Sequence, residues 1–139
     1  MTFVLDASVT LAWLFEDEVT PETDSVLERF ELEEALVPKL WLYEVANVLV
    51  VGERRKRIME AQSHRFMALL ADLPIRVAEA NRNSVWSAAL PLAREQALSV
   101  YDAAYLELAM SEALPLATRD KGLKAAAANV GVPVLGEGS

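Results

Sequence analysis

The chain has 139 residues, of which 53% are hydrophobic and 24% charged, with no cysteine and a formal net charge of −8. This length is typical of one domain with its own core, and the lack of cysteine excludes disulfides and thiolate metal sites and favours a reducing, cytoplasmic setting. The longest stretch without a charged residue, Ala125–Gly136, is far shorter than the ~20 residues of a spanning helix, so no membrane role is expected.

Short β-prone apolar runs alternate along the chain with longer amphipathic runs. The predicted strands are Phe3–Leu5, Ala35–Val37, Ile75–Val77, Leu116–Thr118 and Val132–Leu135. The predicted helices are Ser8–Phe15, Pro21–Glu31, Lys39–Arg54, Met59–Leu73, Ser84–Ala97, Ser99–Ser111 and Lys121–Val130. Thr20 before Pro21 is typical of a helix start and Gly131 of a helix stop. Pro91 is expected to kink or split the fifth helix.

Strands that alternate with helices in this way predict a three-layer α/β domain, with a parallel sheet between two layers of helices. No repeat, low-complexity block or linker divides the chain, so residues 1–135 are interpreted as a single domain. Residues 136–139, Gly-Glu-Gly-Ser, are expected to form a short flexible tail. In sheets of this kind, functional sites form at the carboxyl ends of the strands.

Two acidic residues follow predicted strands. Asp6 comes directly after Phe3–Leu5, and Asp120 comes just past the fourth strand, in the segment Thr118-Arg119-Asp120. Both could therefore belong to a site at the strand ends. A structural alternative is open for each of them, because each precedes a predicted helix and Asp is a favourable N-cap residue.

A third acid, Glu44, lies in the apolar run LWLYEVANVLVV, where Glu44 and Asn47 are the only strongly polar side chains. Because they are three residues apart, they share one face of the predicted helix. A carboxylate on a helix that is apolar nearly all round is unfavourable unless it has a partner or a metal ion. A neighbouring helix or solvent is the alternative partner, although this run contains no Arg or Lys.

The fourth acid, Asp102, lies three residues after Ser99, which is capping-box spacing and offers a structural explanation. Taken together, however, the four acids would converge from different elements, and converging carboxylates repel unless a cation compensates. Ligands that are all oxygen favour Mg²⁺ or Mn²⁺ over Zn²⁺. Ser8, Asn47 and Thr118 lie beside three of these acids and could orient ligands or bound water.

Four segments of the chain resemble PIN-domain ribonucleases. They are Val-Leu-Asp6-Ala-Ser8-Val, Glu44-Val-Ala-Asn47-Val-Leu, Tyr101-Asp102-Ala-Ala-Tyr-Leu and Thr118-Arg119-Asp120. The small size and the Glu-x-x-Asn pattern are most similar to VapC toxins of VapBC toxin–antitoxin modules. The resemblance extends from Thr2 to Leu135, and although one such motif is weak, four in this order and spacing are specific.

This resemblance implies a PIN-like fold with strand order 3-2-1-4-5 and a Mg²⁺- or Mn²⁺-dependent endoribonuclease that hydrolyses RNA with a metal-activated water. It also implies a homodimer that is inhibited by a cognate VapB-type antitoxin, in a heterotetramer or larger complex. Ser8, Thr118 and Asn47 would support the acidic quartet. The residues that the resemblance maps to metal ligation and catalysis are Asp6, Glu44, Asp102 and Asp120.

Basic residues give weaker indications of RNA contact. Arg119 could touch a substrate phosphate, with a solvent-facing role as the alternative. The cluster that could follow an RNA backbone or dock an antitoxin is Arg54, Arg55, Lys56 and Arg57. A solvated helix end, whose cations suit the helix dipole, explains this cluster equally well. The only histidine, His64, lies in a polar part of a predicted helix, which disfavours a metal-free ribonuclease because such enzymes usually need a positioned His.

Three other functions are alternatives. A phospho-receiver domain would need an acceptor Asp after Ile75–Val77 and a Lys before the last strand, and neither appears there. A haloacid-dehalogenase-like phosphatase would match Asp6-x-Ser8-x-Thr10 loosely, but the second Asp of its motif is missing. A catalytically silent PIN domain that acts only as a binding module is the third.

The net charge of −8 at first argues against a nucleic-acid partner, because phosphate-binding surfaces are usually basic. If the four acids form a metal site, they account for half of that charge, and a bound cation reverses the local electrostatics. Residues 50–66 carry a local excess of positive charge. The acidic total is therefore interpreted as a sign of the site and of weak non-specific RNA binding.

Overall fold

A four-stranded parallel sheet forms the centre of the computed structural model, which describes residues 1–136. Its strands are β1 (Thr2–Leu5), β2 (Glu34–Val37), β3 (Ile75–Val77) and β4 (Leu116–Ala117). They pair in the order β3-β2-β1-β4, so that β1 lies between β2 and β4. The expected three-layer α/β class and the expected order of the first four strands are confirmed.

The predicted fifth strand is reduced to a single parallel bridge between Val134 and Leu116. The N–H of Leu116 donates to Pro133 and the N–H of Leu135 donates to Leu116, both at 2.9 Å. Proline has no N–H, so Pro133 cannot donate to a longer ladder. The segment therefore lies beside β4 as expected, but it is too short to count as a strand. Of the expected tail 136–139, Gly136 forms part of a turn and residues 137–139 lie outside the described residues.

Helices surround the sheet, and the number of α-helices in residues 1–136 agrees with the sequence pattern. They are α1 (Ala7–Ala12), α2 (Pro21–Glu28), α3 (Leu40–Arg54), α4 (Glu60–Asp72), α5 (Leu90–Gln96), α6 (Val100–Glu112) and α7 (Lys121–Val130). Short 3₁₀ turns cover Glu16–Glu18 and Arg29–Glu31. None of the helices in this range has both the length and the hydrophobicity needed to cross a membrane.

Pro91 splits the fifth predicted helix, as its missing N–H requires. A π-helical segment, Asn83–Ala89, leads into α5, which begins at Leu90 with Pro91 in its first turn. Proline is tolerated in a first turn because the N–H groups there have no intrahelical partner. The wider π-helical turns accommodate the change of hydrogen bonding before α5.

The core is centred on β1, whose Phe3, Val4 and Leu5 are completely buried. The ring of Phe3 packs against Phe30, with 5.4 Å between the ring centroids. Burial on both faces is expected for a central strand of a parallel sheet that is covered by helices. The strand that carries Asp6 at its end is therefore held firmly on all sides.

Replacing Phe3 with Ala is expected to lower the free energy of unfolding by about 3–5 kcal/mol, because it leaves a cavity beside Phe30 in the middle of the core. Urea unfolding followed by circular dichroism measures this loss. Leu32→Ala is the matched control, since Leu32 is 90% exposed and its truncation should change the stability by less than about 0.5 kcal/mol. Equal losses in the two variants would contradict this description of the core.

Candidate functional site

The pairing of β1 with β4 brings two ends of the sequence together at one edge of the sheet. Leu5 lies opposite Ala117, and the N–H of Asp6 donates to the carbonyl of Ala117 at 2.9 Å. The strands are parallel, so the residues that follow them, Asp6 and Thr118, emerge side by side. This is the edge at which open parallel sheets form their sites.

The carboxylate of Asp6 accepts two hydroxyl hydrogen bonds on the same oxygen. Thr118 Oγ1 donates to Asp6 Oδ2 at 2.6 Å, and Ser8 Oγ donates to it at 2.7 Å. Each hydroxyl also accepts a backbone N–H, from Asp120 for Thr118 at 3.1 Å and from Arg119 for Ser8 at 2.9 Å. Since a hydroxyl carries one proton, these N–H groups direct both protons towards Asp6. Ser8 and Thr118 thus orient the carboxylate, in the supporting positions expected from the sequence.

The carboxylate of Glu44 has a phenol partner from a different helix. Tyr105 Oη on α6 donates to Glu44 Oε1 on α3 at 2.6 Å, and the Tyr105 side chain is completely buried. Burial, followed by the hydrogen bond to Glu44, raises the pKa of Tyr105 far above its usual value. Tyr105 is therefore a permanent proton donor that fixes the position of Glu44.

The other two acids lie at helix starts, where the sequence also offered a structural role. The N–H of Asp102 donates to the Ser99 hydroxyl at 3.0 Å, and Asp120 caps α7 by accepting the N–H of Leu123 at 2.7 Å. The Asp120 carboxylate therefore caps α7, whereas the cap of α6 is the Ser99 hydroxyl and the Asp102 carboxylate makes no capping hydrogen bond. Asp102 is partly exposed and Asp120 is exposed, so for Asp120 a capping role and a place in the site coexist.

Electrostatic coupling shows that the four acids lie close together. Burial is the largest cause that raises the pKa of Asp6, Glu44 and Asp102. The charge of Asp120 raises the pKa of Asp6 further, and the charges of Asp6 and Asp102 raise that of Glu44. The charges of Asp6 and Asp120 also raise the pKa of Asp102. The structure thus brings together the four acids that the sequence singled out.

The donor set has the chemistry that a hard divalent cation requires. All four groups are carboxylates, and a cation among them would offset the repulsion that adds to burial in raising the pKa values of Asp6, Glu44 and Asp102. Within residues 1–136, however, no three His, Cys, Asp or Glu side chains form a ready-made set of metal ligands.

Asn47, expected to support the acids, lies one turn after Glu44 with its side chain exposed. Among residues 1–136 it makes no hydrogen bond to any of the four acids. Instead it lines a surface cavity of about 240 Å³ together with Phe15, Arg55 and Arg57. The structure therefore places Asn47 between the acidic site and the basic cluster.

The basic residues are exposed, as a solvated helix end predicts. Arg54, Arg55 and Lys56 lie at the end of α3, and the guanidinium of Arg57 lies 3.7 Å from the centroid of the Phe15 ring. Arg119 is closer to the site, since it lies between Thr118 and Asp120.

Sequence reasoning missed two groups that hold the site in place. Tyr105 is one of them, and its position three residues after Asp102, on the same helix face, was an available signal. The other is a buried chain of hydrogen bonds in which Trp41 Nε1 donates to Thr10 Oγ1 at 2.9 Å and Thr10 Oγ1 donates to the Asp6 carbonyl at 3.3 Å. This chain ties α3, which carries Glu44, to the backbone of Asp6, and no local pattern reveals it.

The comparison with protein families assigns this fold and site to a class. The model of the PIN domain matches residues 3–129. The match covers most of the chain, so the protein belongs to the PIN domain family. No curated protein matches the sequence. Membership in this family leaves the phospho-receiver and phosphatase alternatives without support.

Solved structures similar to the chain share its fold at low sequence identity. PAE2754 from Pyrobaculum aerophilum is 23% identical with a TM-score of 0.70, over 91% of this chain and 84% of that one. VapBC2 from Rickettsia felis, bound to a promoter DNA fragment, is 11% identical with a TM-score of 0.69, over 96% and 97%. VapC20 from Mycobacterium tuberculosis, a sarcin–ricin-loop-cleaving toxin, is 13% identical with a TM-score of 0.63, over 89% and 94%.

Replacing Tyr105 with Phe should lower the free energy of unfolding by about 1–3 kcal/mol, because Glu44 loses a charged hydrogen bond. The same change should raise the pKa of Glu44, since the Tyr105 hydrogen bond lowers it. Urea unfolding and a carbon-detected NMR titration of the Glu44 carboxyl measure the two effects. Tyr101→Phe on the same helix is the control, because Tyr101 is 66% exposed. If Tyr105→Phe and Tyr101→Phe change the stability and the pKa of Glu44 equally, Tyr105 does not hold Glu44 in place.

In the absence of divalent cations, the melting temperature is expected to rise as the pH is lowered from about 8 to about 5. Asp6, Glu44 and Asp102 have raised pKa values in the folded state. The folded protein therefore binds protons at a pH where the unfolded chain is still ionised, and this gain continues down to the ordinary pKa near 4. Differential scanning fluorimetry across this range measures it.

Asp6→Asn and Asp102→Asn should flatten this pH dependence. Asp72→Asn is the matched control, because it removes one carboxylate that is exposed at the end of α4, and it should leave the pH dependence of the melting temperature as in the wild type. A wild-type melting temperature that falls steadily from about pH 8 to about pH 5 would contradict the coupling of the site acids.

Proposed function

We propose that this PIN-domain protein is a Mg²⁺- or Mn²⁺-dependent endoribonuclease that acts as the VapC-type toxin of a type II toxin–antitoxin pair. The observation that carries the proposal is the convergence of four carboxylates at the carboxyl edge of the sheet, where burial and neighbouring charges raise the pKa values of Asp6, Glu44 and Asp102. Structural relatives named as VapBC2 and as an RNA-cleaving VapC20 toxin support it.

Asp6, Glu44, Asp102 and Asp120 would hold the ion. When bound, the ion would supply a Lewis acid that activates water and neutralises charge on a phosphodiester. The chain itself prepares the carboxylates for this role. Ser8 and Thr118 hold Asp6, and Tyr105 holds Glu44, so two of the four acids are oriented before any ligand arrives.

The raised pKa values indicate that protons compete with a cation for the site. Metal affinity should therefore increase with pH, because the carboxylates must be ionised to act as ligands. Burial of Asp6, which is 5% exposed, keeps water away from one side of the site and strengthens its interactions with charge. The other acids are partly or fully exposed, which leaves an opening through which a phosphodiester can approach.

RNA contact is proposed for the basic residues that the sequence singled out. Arg119 lies directly beside Asp120, so its guanidinium can reach a phosphate next to the one that is cleaved. Of the cluster Arg54, Arg55, Lys56 and Arg57, Arg55 and Arg57 line a cavity together with Asn47, one helical turn from Glu44. Phosphate contacts of this kind supply affinity without base specificity.

A homodimer and a VapB-type antitoxin, in a heterotetramer or larger complex, are the proposed protein partners. One structural relative is a toxin–antitoxin complex from Klebsiella pneumoniae, and another is VapBC2 from Rickettsia felis. Large apolar side chains that are exposed in the isolated chain, such as Tyr43 at 69% and Trp86 at 64%, suit burial in such interfaces.

A catalytically silent PIN domain is the second candidate, and one observation favours it. No three acidic or histidine side chains in the described part of the chain are already arranged to hold a metal ion. A binding module of this kind would retain Asp120 for the stability of α7, which its carboxylate caps. Metal-dependent cleavage separates the two functions directly.

The purified protein is expected to cleave single-stranded or structured RNA in Mg²⁺ or Mn²⁺ and to lose this activity in chelator. Asp6→Asn and Asp102→Asn should each lower the cleavage rate by about 100-fold or more, since even changes to groups that only support metal ligands cost 10–100-fold. Gel analysis of end-labelled RNA over time measures the rates.

Asp72→Asn is the matched control, because Asp72 is exposed at the end of α4. The Asp72→Asn variant should cleave RNA at the same rate as the wild type. Retained cleavage in chelator, or equal cleavage by the Asp6 and Asp72 variants, would refute the proposed mechanism. A folded protein that cleaves no RNA with either metal would favour the silent binding module.

A further inference from the structure

Two arginines from distant parts of the sequence share one carboxylate at the edge of the site. Glu18 Oε2 lies 3.6 Å from Nη2 of Arg57, and Glu18 Oε1 lies 3.5 Å from Nη1 of Arg119. Glu18 belongs to the 3₁₀ turn Glu16–Glu18 between α1 and α2, here called the acidic turn. Arg57 and Arg119, here called the arginine pair, both contact this turn through Glu18.

The arginine pair borders the acidic site on one side. The backbone N–H of Arg119 donates to Ser8 Oγ, which in turn donates to Asp6. Arg57 shares a cavity with Asn47, one helical turn from Glu44. A strand of RNA that presents one phosphodiester to the acids would therefore bring neighbouring phosphates towards these guanidinium groups.

The contacts that hold the pair are of the kind that a phosphate can replace. Carboxylate and phosphate are both recognised by the flat fork of a guanidinium. The Glu18 contacts of 3.5 and 3.6 Å are ion pairs at the surface, where side chains are a third to a half exposed, and exposed ion pairs are weak. Arg57 also stacks on Phe15, so it would keep its position when Glu18 leaves.

We propose that the arginine pair is the backbone-phosphate contact of this site and that Glu18 is its internal competitor, which RNA must displace. This inference rests on the proposed function, because it takes RNA as the ligand. The acidic turn then weakens RNA binding in the free protein and prevents the guanidinium groups from turning onto the site's own carboxylates. Asp17, which contacts Arg57 at 3.2 Å, holds one member of the pair in the same way.

The test is RNA binding by the full chain in chelator, where no cleavage interferes. Fluorescence anisotropy with a short labelled single-stranded RNA compares the wild type with Glu18→Gln. Glu18→Gln is expected to bind about three- to tenfold more tightly at low salt, because it frees Arg119 for phosphate and leaves Arg57 with Asp17 as its remaining ion-pair partner among residues 1–136. The gain should fade as the salt concentration approaches about 1 M, where charges at the surface are screened within roughly 3 Å.

Glu16→Gln is the matched control, since it removes the same charge from the same turn and Glu16 has no ion pair among residues 1–136. It should leave RNA binding within about twofold of the wild type, as a change in net charge alone would. When Arg119→Gln is already present, adding Glu18→Gln should raise the RNA affinity by less than half of the increase that it gives in the wild-type protein. Thermal unfolding of every variant confirms that each is folded.

The inference is overturned if Glu18→Gln and Glu16→Gln bind RNA alike, or if the gain of Glu18→Gln persists in full without Arg119. It is also overturned if Glu18→Gln binds more weakly than the wild type while remaining folded. These binding results are independent of cleavage. If the protein cleaves RNA but Glu18→Gln does not tighten RNA binding, the Glu18 inference is wrong and the proposed function stands. If Glu18→Gln tightens RNA binding but the protein cleaves no RNA, the proposed nuclease function is wrong and the Glu18 inference stands.

Discussion

The rest of the site depends on the hydrogen bonds that fix the carboxylate of Asp6. Parallel pairing of β1 with β4 places it beside Thr118, and the hydroxyls of Ser8 and Thr118 donate to one of its oxygens. The same hydroxyls accept the N–H groups of Arg119 and Asp120. The turn after β4 is therefore tied to the start of α1, and this tie decides where the next acid and the nearest arginine lie.

Four acids at one edge of a sheet repel one another, and the structure shows how the fold tolerates this. Hydroxyl donors stabilise Asp6, a buried phenol stabilises Glu44, and Asp102 and Asp120 lie at helix N-termini, where the helix dipole favours negative charge. The compensation is incomplete, because the pKa values of three of the acids stay raised. Such a site is sensitive to protons, and a bound cation would offset the repulsion that remains.

The positions of the basic side chains around the site also depend on the tertiary structure. An acidic chain can bind a polyanion only where its positive groups are concentrated and correctly placed. The structure places Arg119 at the site and Arg57 within reach of the same carboxylate, Glu18. The total charge, which by itself argued against RNA, is therefore less informative than the positions of a few charges.

Much of the fold could be predicted from the sequence alone, and the four acids could be singled out from it as candidates for one site. Alternating strands and helices, the split at Pro91 and the caps at Thr20, Ser99 and Asp120 depend on patterns within a few residues, and the structure contains them all. Only the tertiary structure decided that Tyr105 serves Glu44, that Asn47 faces the basic cluster, that Val134 forms a single bridge and that Glu18 joins two arginines. The physical reason is that periodicity and capping act along the chain, whereas these contacts join residues far apart in sequence and depend on strand register and helix packing.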